Sequence, residues 1–475
     1  MMRTILLTIF SVMIFLTSDA QSNKWSLERC VLTATQNSIG VKISELGIEQ
    51  MQISEKQAKH NRMPNLNAQG GANWNFGRTI DPTTNEFNTE TFFSNNWSLS
   101  SGVVIYNGGK INKSIKQSNL MTRAAEQDYQ QQLRNISLQV ANTYLSAIFA
   151  LENRKISENQ LKLSEEQLDQ VNKMIESGTL PANEALEIQA QIARESQNII
   201  LNDNNYEASL LTLRQLLRLD PQEEMILDVP DLDNMETTNP FSVSFEEAYN
   251  LALQNQPNIK AGELRVESSN ISKSLAAADQ LPSLSFFGSL GTNYSNRGIN
   301  LIGEQDITVT QNVAINNEPA TLAFDQSIPI FEDAPYRDQI DNNLSYGFGI
   351  GLSIPLYNNY SVAASKQRAE LDKQQTLLNN QQLREDLKIN VQSALAESRS
   401  AKLALEASEK ALESQKAAFE NAQKRFQLGA INNFDYVTAR NLIDNAEINA
   451  LISKYDYIFK LKVLEFYMGK TITLN

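Results

Sequence analysis

Few side chains in this 475-residue sequence could carry bond-making chemistry, and those few stand apart. There is one histidine, His60, and one cysteine, Cys30. A serine–histidine triad would have to be built on His60. That residue ends a polar helical stretch just ahead of a strand pattern, a place that suits a solvated imidazole. One cysteine permits no disulfide within a chain, and one Cys with one His makes no zinc cluster. Cys30 falls on the apolar side of a short helix and reads as a packed thiol. The run YNGGK over 106–110 is only superficially a phosphate loop. Its spacing to an earlier glycine is wrong, and Ile111 stands where Ser or Thr would be needed. No catalytic residue, metal ligand or cofactor site is therefore assigned.

With so little chemistry available, the elements themselves carry the argument. The formal net charge is −14, spread along helical stretches. That argues against nucleic acid, whose partners present basic patches. Residues 1–20 have the form of a signal peptide: Arg3 supplies the positive start, Ile5 to Thr17 is apolar, and Ser18-Asp19-Ala20 offers small residues for cleavage. No cysteine follows the cut, which argues against a lipid anchor. No other stretch has eighteen apolar residues in a row, so helical membrane spans are not expected. An outer-membrane β-barrel, whose signal is weak and alternating, stays open.

The sequence repeats once. Trp25-Ser26-Leu27-Glu28 resembles Val243-Ser244-Phe245-Glu246, and MPNL (63–66) resembles LPSL (281–284), both at an offset of 218. Beyond that the offset is 251: Tyr106-Asn107 matches Tyr357-Asn358, Gly178 matches Gly429, and 211–219 overlies 462–470. The second half therefore carries 33 extra residues between about 296 and 343. This divides the chain into the signal peptide 1–20, a first repeat 21–219, a linker 220–241 containing Pro221, Pro230 and Pro240, and a second repeat 242–475.

Each half alternates rods with ribbons. The stretches 109–176 and 360–427 contain no proline and are rich in Ala, Leu, Gln, Lys and Glu. Apolar residues recur at helical spacing, as in Leu133, Ile136, Val140, Tyr144 and Ile148, and again in Leu383, Leu387, Val391 and Leu395. Such a helix is a rod of roughly 100 Å at 1.5 Å per residue. The narrow stripe calls for coiled-coil-like seams. Shorter helices are expected over 26–37, 41–61, 182–219, 244–255, 258–279 and 432–469, with Gly40 and Pro257 near breaks and Pro181 at a helix start. Four strands are expected at about 64–78, 91–106, 282–296 and 344–357. In each, one face is apolar and the other small and uncharged. Leu66, Ala68, Ala72 and Trp74 form one such face, as do Trp97, Leu99, Val103 and Ile105, and Tyr346, Phe348, Ile350 and Leu352. These lengths suit tilted membrane strands. Four strands cannot close a barrel, which needs about eight. Two chains would supply eight and three would supply twelve.

In order and spacing, the two halves resemble the TolC-like outer-membrane efflux protein family over essentially the whole mature chain. WSLERCVLTATQNS followed by KHNRMPNL resembles its N-terminal signature, VSFEEAYNLALQNQPNIKA its second copy, and LSIPLYN its strand-to-helix junction. The resemblance implies an α+β membrane protein. A homotrimer would form a twelve-stranded β-barrel, four strands per chain, in outer-membrane lipid, continued by a long α-helical, coiled-coil-like periplasmic tunnel. It further implies a passive exit duct of a tripartite efflux or type I secretion system in a Gram-negative outer membrane. Its partners would be a periplasmic adaptor (membrane fusion) protein and an inner-membrane transporter that supplies the energy, with no nucleic acid and no cofactor.

The resemblance also assigns sites. Ser177, Gly178, Thr179 and Leu180, with Leu428, Gly429, Ala430 and Ile431, would be the adaptor-docking hairpin tips. Asp435 matches an inward-facing aspartate of the family's periplasmic constriction, with Glu184 its first-half counterpart. Thr438 stands where the family has a second aspartate, Ile431 where it has an arginine, and Phe426 where it has a tyrosine. The usual ionic and tyrosine lock is thus only partly present, and one or two acidic rings would favour cations at a narrow mouth. The rival is a non-transporting trimeric structural or adhesive surface protein. Ion conductance in liposomes separates the two. The stretch 297–343 is expected to be an external loop, much longer than its first-half counterpart at about 79–92, and its deletion tests whether it caps a pore.

Overall fold

The computed structural model describes residues 24–80, 85, 87–89, 91–230, 238–315 and 318–470. The expected signal peptide and part of the linker lie outside the described residues. The first half contains β1 (Lys24–Trp25), α1 (Leu27–Asn37), α2 (Ile39–His60), β2 (Asn65–Asn75), β3 (Thr79–Ile80), β4 (Phe87–Asn88), β5 (Phe92–Asn107), α3 (Lys110–Glu176) and α4 (Glu184–Leu217). After β6 (Ile226–Leu227) come α5 (Phe245–Asn255), α6 (Pro257–Ala278), β7 (Ser283–Ser295), β8 (Ile299–Ile315), β9 (Glu318–Asp333), α7 (Tyr336–Asn342), β10 (Ser345–Ser353), α8 (Ser361–Gln427) and α9 (Asn433–Tyr467). Helices α3 and α8 are each 67 residues long and unbroken. Helices α1 and α5 are 11 residues each, and α2 and α6 are 22 each. Even the caps repeat: the Ser26 hydroxyl accepts from Arg29 N, and the Ser244 hydroxyl accepts from Glu247 N.

Several boundaries move for local reasons. Strand β2 stops at Asn75 because Gly77 turns the chain with φ +88°. Strand β10 stops at Ser353, two residues before Pro355, which has no N–H for a ladder. The break between α1 and α2 falls at Ser38, not at Gly40. The Ser38 hydroxyl accepts from Val41 N at 3.4 Å, and Gly40 lies inside α2. Pro181 does not start a helix. It lies in the turn before Glu184, whose N–H donates to the Pro181 carbonyl at 3.2 Å. The long insertion is not a loop: β8 and β9 form one long hairpin that leads into α7. Of the first-half loop, the described part is the short β3–β4 pair.

The described residues fall into two compact units. The helical unit runs to Gln52 and includes 120–268 and 373 onward; the sheet unit comprises 53–119 and 269–372. The helical unit is held by buried side chains from both repeats. Trp25, Leu27, Cys30, Tyr144, Ile148, Leu213, Leu217, Ile458 and Leu461 share one cluster. Tyr144 anchors the β1–β6 ribbon beside it, its single O–H lying between the Trp25 carbonyl oxygen at 2.9 Å and the Asp228 carbonyl oxygen at 2.5 Å. Val391, Leu464, Ala248 and Ala252 join α5, α8 and α9 in a second cluster. At about 25 cal/mol per Å² of apolar area removed from water, such seams supply the tertiary packing from which most of the rods' stability comes. In the sheet unit, β10, β7, β5 and β2 hydrogen-bond in that order, all antiparallel.

Candidate functional site

The four-stranded sheet sorts its side chains by face because strand residues alternate. Register places Gly70 opposite Trp97, Ala68 opposite Leu99, Leu99 opposite Leu290, and Leu290 opposite Tyr346. One face thus carries Leu66, Ala68, Trp74, Trp97, Leu99, Val103, Phe286, Leu290, Phe348, Ile350 and Leu352. A row of rings finishes it at one end: Trp74 lies 4.9 Å from Phe93, Phe93 6.3 Å from Tyr294, and Tyr294 4.8 Å from Tyr336. In the single chain this face is bare, with Phe348 80% and Ile350 66% exposed.

The opposite face carries Asn67, Gln69, Asn73, Asn96, Ser98, Ser100, Ser289, Ser285, Gly347 and Gly351. None of the four strands contains a charged residue. Phe287 is the one aromatic here within β7. It lies over Gly349, where an added Cβ would stand 3.0 Å from its ring. One expected position is displaced. A bulge leaves Ile105 unpaired, so Val104 pairs with Ser285 and Tyr106 takes the apolar-face place opposite Leu284. The outer edges of β2 and β10 have no partner strand among the described residues.

The two helical turns are built alike. Gly178 has φ +74° and Gly429 φ +68°. Gly178 N–H donates to the Ile175 carbonyl (2.9 Å) and Thr179 N–H to the Met174 carbonyl (2.8 Å). Gly429 N–H donates to Phe426 (2.9 Å) and Ala430 N–H to Arg425 (2.8 Å) in the same pattern. Both are Schellman caps, which need a residue in the left-handed region. Ser177, Gly178, Thr179, Leu428, Gly429 and Ala430 are exposed, and Leu428 is 82% exposed. Leu180 and Ile431 are half-buried against an apolar cluster of Val171, Ala185, Ile188, Phe426 and Tyr436. Phe426 is buried there, stacked on Tyr436 at 4.8 Å.

Asp435 is exposed in the first turn of α9. Its N–H is capped by the Asn432 side chain at 2.7 Å, and its carboxylate suits the helix dipole. Glu184 is half-buried in the first turn of α4. Thr438 is exposed, its hydroxyl turned back to the Phe434 carbonyl at 2.8 Å.

A buried polar layer lies one helical turn beyond Tyr436 along α9. Arg440 is 3% exposed and donates to the Gln160 carbonyl of α3 at 2.6 Å. It faces Glu195 of α4 at 3.9 Å and Asp444 at 3.8 Å. Glu195 Oε1 accepts from Gln191 Nε2 at 2.7 Å, while its Oε2 makes no hydrogen bond. Burial pushes the Asp444 carboxyl up to about 6; Arg440 opposes this, and Glu195 and Glu447 add to it. Sequence reading missed this layer. The i, i+4 pair Arg440/Asp444 on one helix was its visible signal, but Glu195 and Gln160 are distant in sequence.

Cys30 is fully buried and its thiol is pushed up to about 12 by burial. His60 is exposed, with Nδ1 2.8 Å from the Lys56 carbonyl oxygen. Among the described residues no group of three or more His, Cys, Asp or Glu could hold a metal ion, and no helix is long and apolar enough to cross a membrane.

The family model described as outer membrane efflux protein matches residues 32–217 and 248–470. The outer membrane protein TolC of Vibrio cholerae serotype O1 (strain ATCC 39315 / El Tor Inaba N16961) is 22% identical over 361 residues, covering 75% of this chain and 72% of that protein. A solved structure of CusC superposes with a TM-score of 0.74 at 17% identity, covering 96% of this chain and 95% of that one. The open state of the Neisseria gonorrhoeae MtrE outer membrane channel does so with a TM-score of 0.72 at 17% identity, over 95% and 90%.

Proposed function

The chain belongs to the outer membrane efflux protein family, and from that premise we propose that three copies assemble into one exit duct. Each copy contributes β2, β5, β7 and β10 to a twelve-stranded barrel in the outer membrane of a Gram-negative bacterium. The apolar face meets lipid and the Asn/Ser/Gly face lines water. The long helices continue the duct as a tunnel through the periplasm. The tips, Ser177 to Leu180 and Leu428 to Ile431, dock a periplasmic adaptor, and an inner-membrane transporter drives export. Asp435 and Glu184 contribute acidic groups at the periplasmic mouth, with Thr438 beside Asp435 and Phe426 bracing the second tip from inside.

The observation that carries this reading is the sheet. It has a mainly apolar face with Phe348 and Ile350 exposed, an uncharged polar face, and two open edges. An open edge in contact with lipid leaves backbone groups unsatisfied at several kcal/mol each, so the edges call for other copies. Native mass spectrometry of the detergent-extracted protein tests it. Three copies per particle are expected; a monomer that stays soluble without detergent overturns it.

A further inference from the structure

The hairpin of β8 and β9 is amphipathic in a way that the barrel does not require. Register pairs Val309 with Phe324, Gln311 with Leu322, Ile307 with Gln326, Gln305 with Ile328 and Gly303 with Ile330 on one face. The other face pairs Asp306 with Ser327, Thr308 with Asp325 and Asn312 with Thr321. Thr308 donates to Asp325 at 2.8 Å, and Ser327 donates to Asp306. No Lys or Arg occurs from 299 to 333, whereas six Asp or Glu do. In the single chain the apolar face is bare: Leu322 is 50% and Phe324 42% exposed.

The hairpin is held firmly at its root. Gln339 of α7 is 4% exposed. Its Nε2 donates to the carbonyls of Ser295 and Ala334, both at 2.8 Å, and its Oε1 accepts from Ser295 N–H at 2.9 Å. Ala334 N–H donates to the Gly298 carbonyl at 2.8 Å. A Cβ on Gly298 would come within 2.5 Å of the Gln339 amide. Both legs of the hairpin are therefore tied to one buried amide.

We propose that the apolar faces of this hairpin from neighbouring copies pack together around the assembly axis, forming a second contact between subunits outside the barrel. This rests on the trimeric reading above. A two-stranded hairpin alone is at best marginally stable in water, and one of this length needs a covered face. Lipid is a poor cover, because Gln305, Gln311 and Gln326 stand among the apolar residues and unpaired amides in hydrocarbon cost several kcal/mol. Addition of a strand to the β9 edge is disfavoured by Pro319 and Pro329. The faces that carry Glu304, Asp306 and Asp325 cannot meet one another, whereas three identical apolar faces converging on a threefold axis satisfy symmetry and leave those three carboxylates in water.

The test uses full-length protein in the outer membrane, where Cys30 is buried. Val309→Cys and Leu322→Cys mark the apolar face and Thr310→Cys the acidic one. Each is treated with a short bismaleimide and run on a denaturing gel. Cross-linked dimers and trimers at the first two positions, at least tenfold above Thr310→Cys, are expected. Equal cross-linking at all three positions overturns the inference. So does its absence at both apolar positions in protein that native mass spectrometry shows to be trimeric, whether those cysteines then react with a water-soluble maleimide, react only with a lipid-confined reagent, or are blocked by another molecule. A monomeric mass would instead overturn the trimeric reading beneath it.

Discussion

Arg440 and Glu195 face each other at 3.9 Å across two helices from different repeats, with side chains 4% and 5% exposed. A buried ion pair is weak support for stability in itself, but breaking one by removing a single partner is costly. Arg440→Ala would leave Glu195 and Asp444 buried without a cation and free the Gln160 carbonyl. A loss of about 3–5 kcal/mol is expected, seen as a lower melting temperature of the detergent-solubilised protein. Arg440→Met combined with Glu195→Gln and Asp444→Asn should recover most of it. No recovery would mean that Arg440 acts through packing rather than charge.

Asp444 gives the same layer a pH dependence. Its carboxyl titrates at about 6 in the folded chain against an ordinary 3.8. The folded state thus holds this proton more tightly than the unfolded state. The destabilisation is absent below about pH 4, grows between 4 and 6, and is complete above 6. Each tenfold difference in proton affinity is worth about 1.36 kcal/mol, so the full effect is about 2–3 kcal/mol. Asp444→Asn should raise the melting temperature at pH 7.5 and shrink the part of its change between pH 7.5 and pH 5 that this carboxyl supplies. An unchanged pH profile would remove Asp444 as its source.

The twin caps predict local rather than global effects. Gly178 and Gly429 have positive φ and open space where a Cβ would go. Gly178→Ala or Gly429→Ala should therefore cost only the conformational preference, roughly 1–2 kcal/mol each. Hydrogen exchange should quicken at 174–180 or 425–431 and stay slow around Tyr144 and Leu461. Uniform acceleration would contradict the assignment of these turns as separate ends.

The two sheet faces should answer a charge differently. Phe348→Arg puts a cation on the apolar face and should cost about 2–4 kcal/mol at mid-bilayer depth, with loss of assembled protein in the outer membrane. Ser98→Lys, on the polar face, should assemble normally and shift ion selectivity toward anions. Equal tolerance at both positions would contradict the assignment of lipid and water.

Much of this architecture was legible because it is periodic. The strict alternation around Phe348 and Ile350, and the proline-free helical stripes, announce themselves within one short window. What escaped depends on partners far apart in the chain. Ile105 fits the alternating pattern, yet a bulge against β7 takes it out of phase. The polar layer joins the local pair 440 and 444 to residues 160 and 195, and no local pattern connects that pair to the other two. The 297–343 insertion was legible in length only. Its alternation over Ile307, Val309, Gln311 and Val313 was present in the sequence but masked by interspersed Asn, Asp and Pro, which ordinarily mark loops.

In the proposed duct, water runs along the Asn/Ser/Gly face. Single-channel recording of purified Ser98→Cys protein in planar bilayers tests it most directly, before and after a bulky water-soluble maleimide is added. Steady conductance that drops on labelling Ser98→Cys, with Ile350→Cys protein unaffected, is the predicted result. A trimer that stays electrically silent, even with Asp435→Ala and Glu184→Ala introduced, would contradict it.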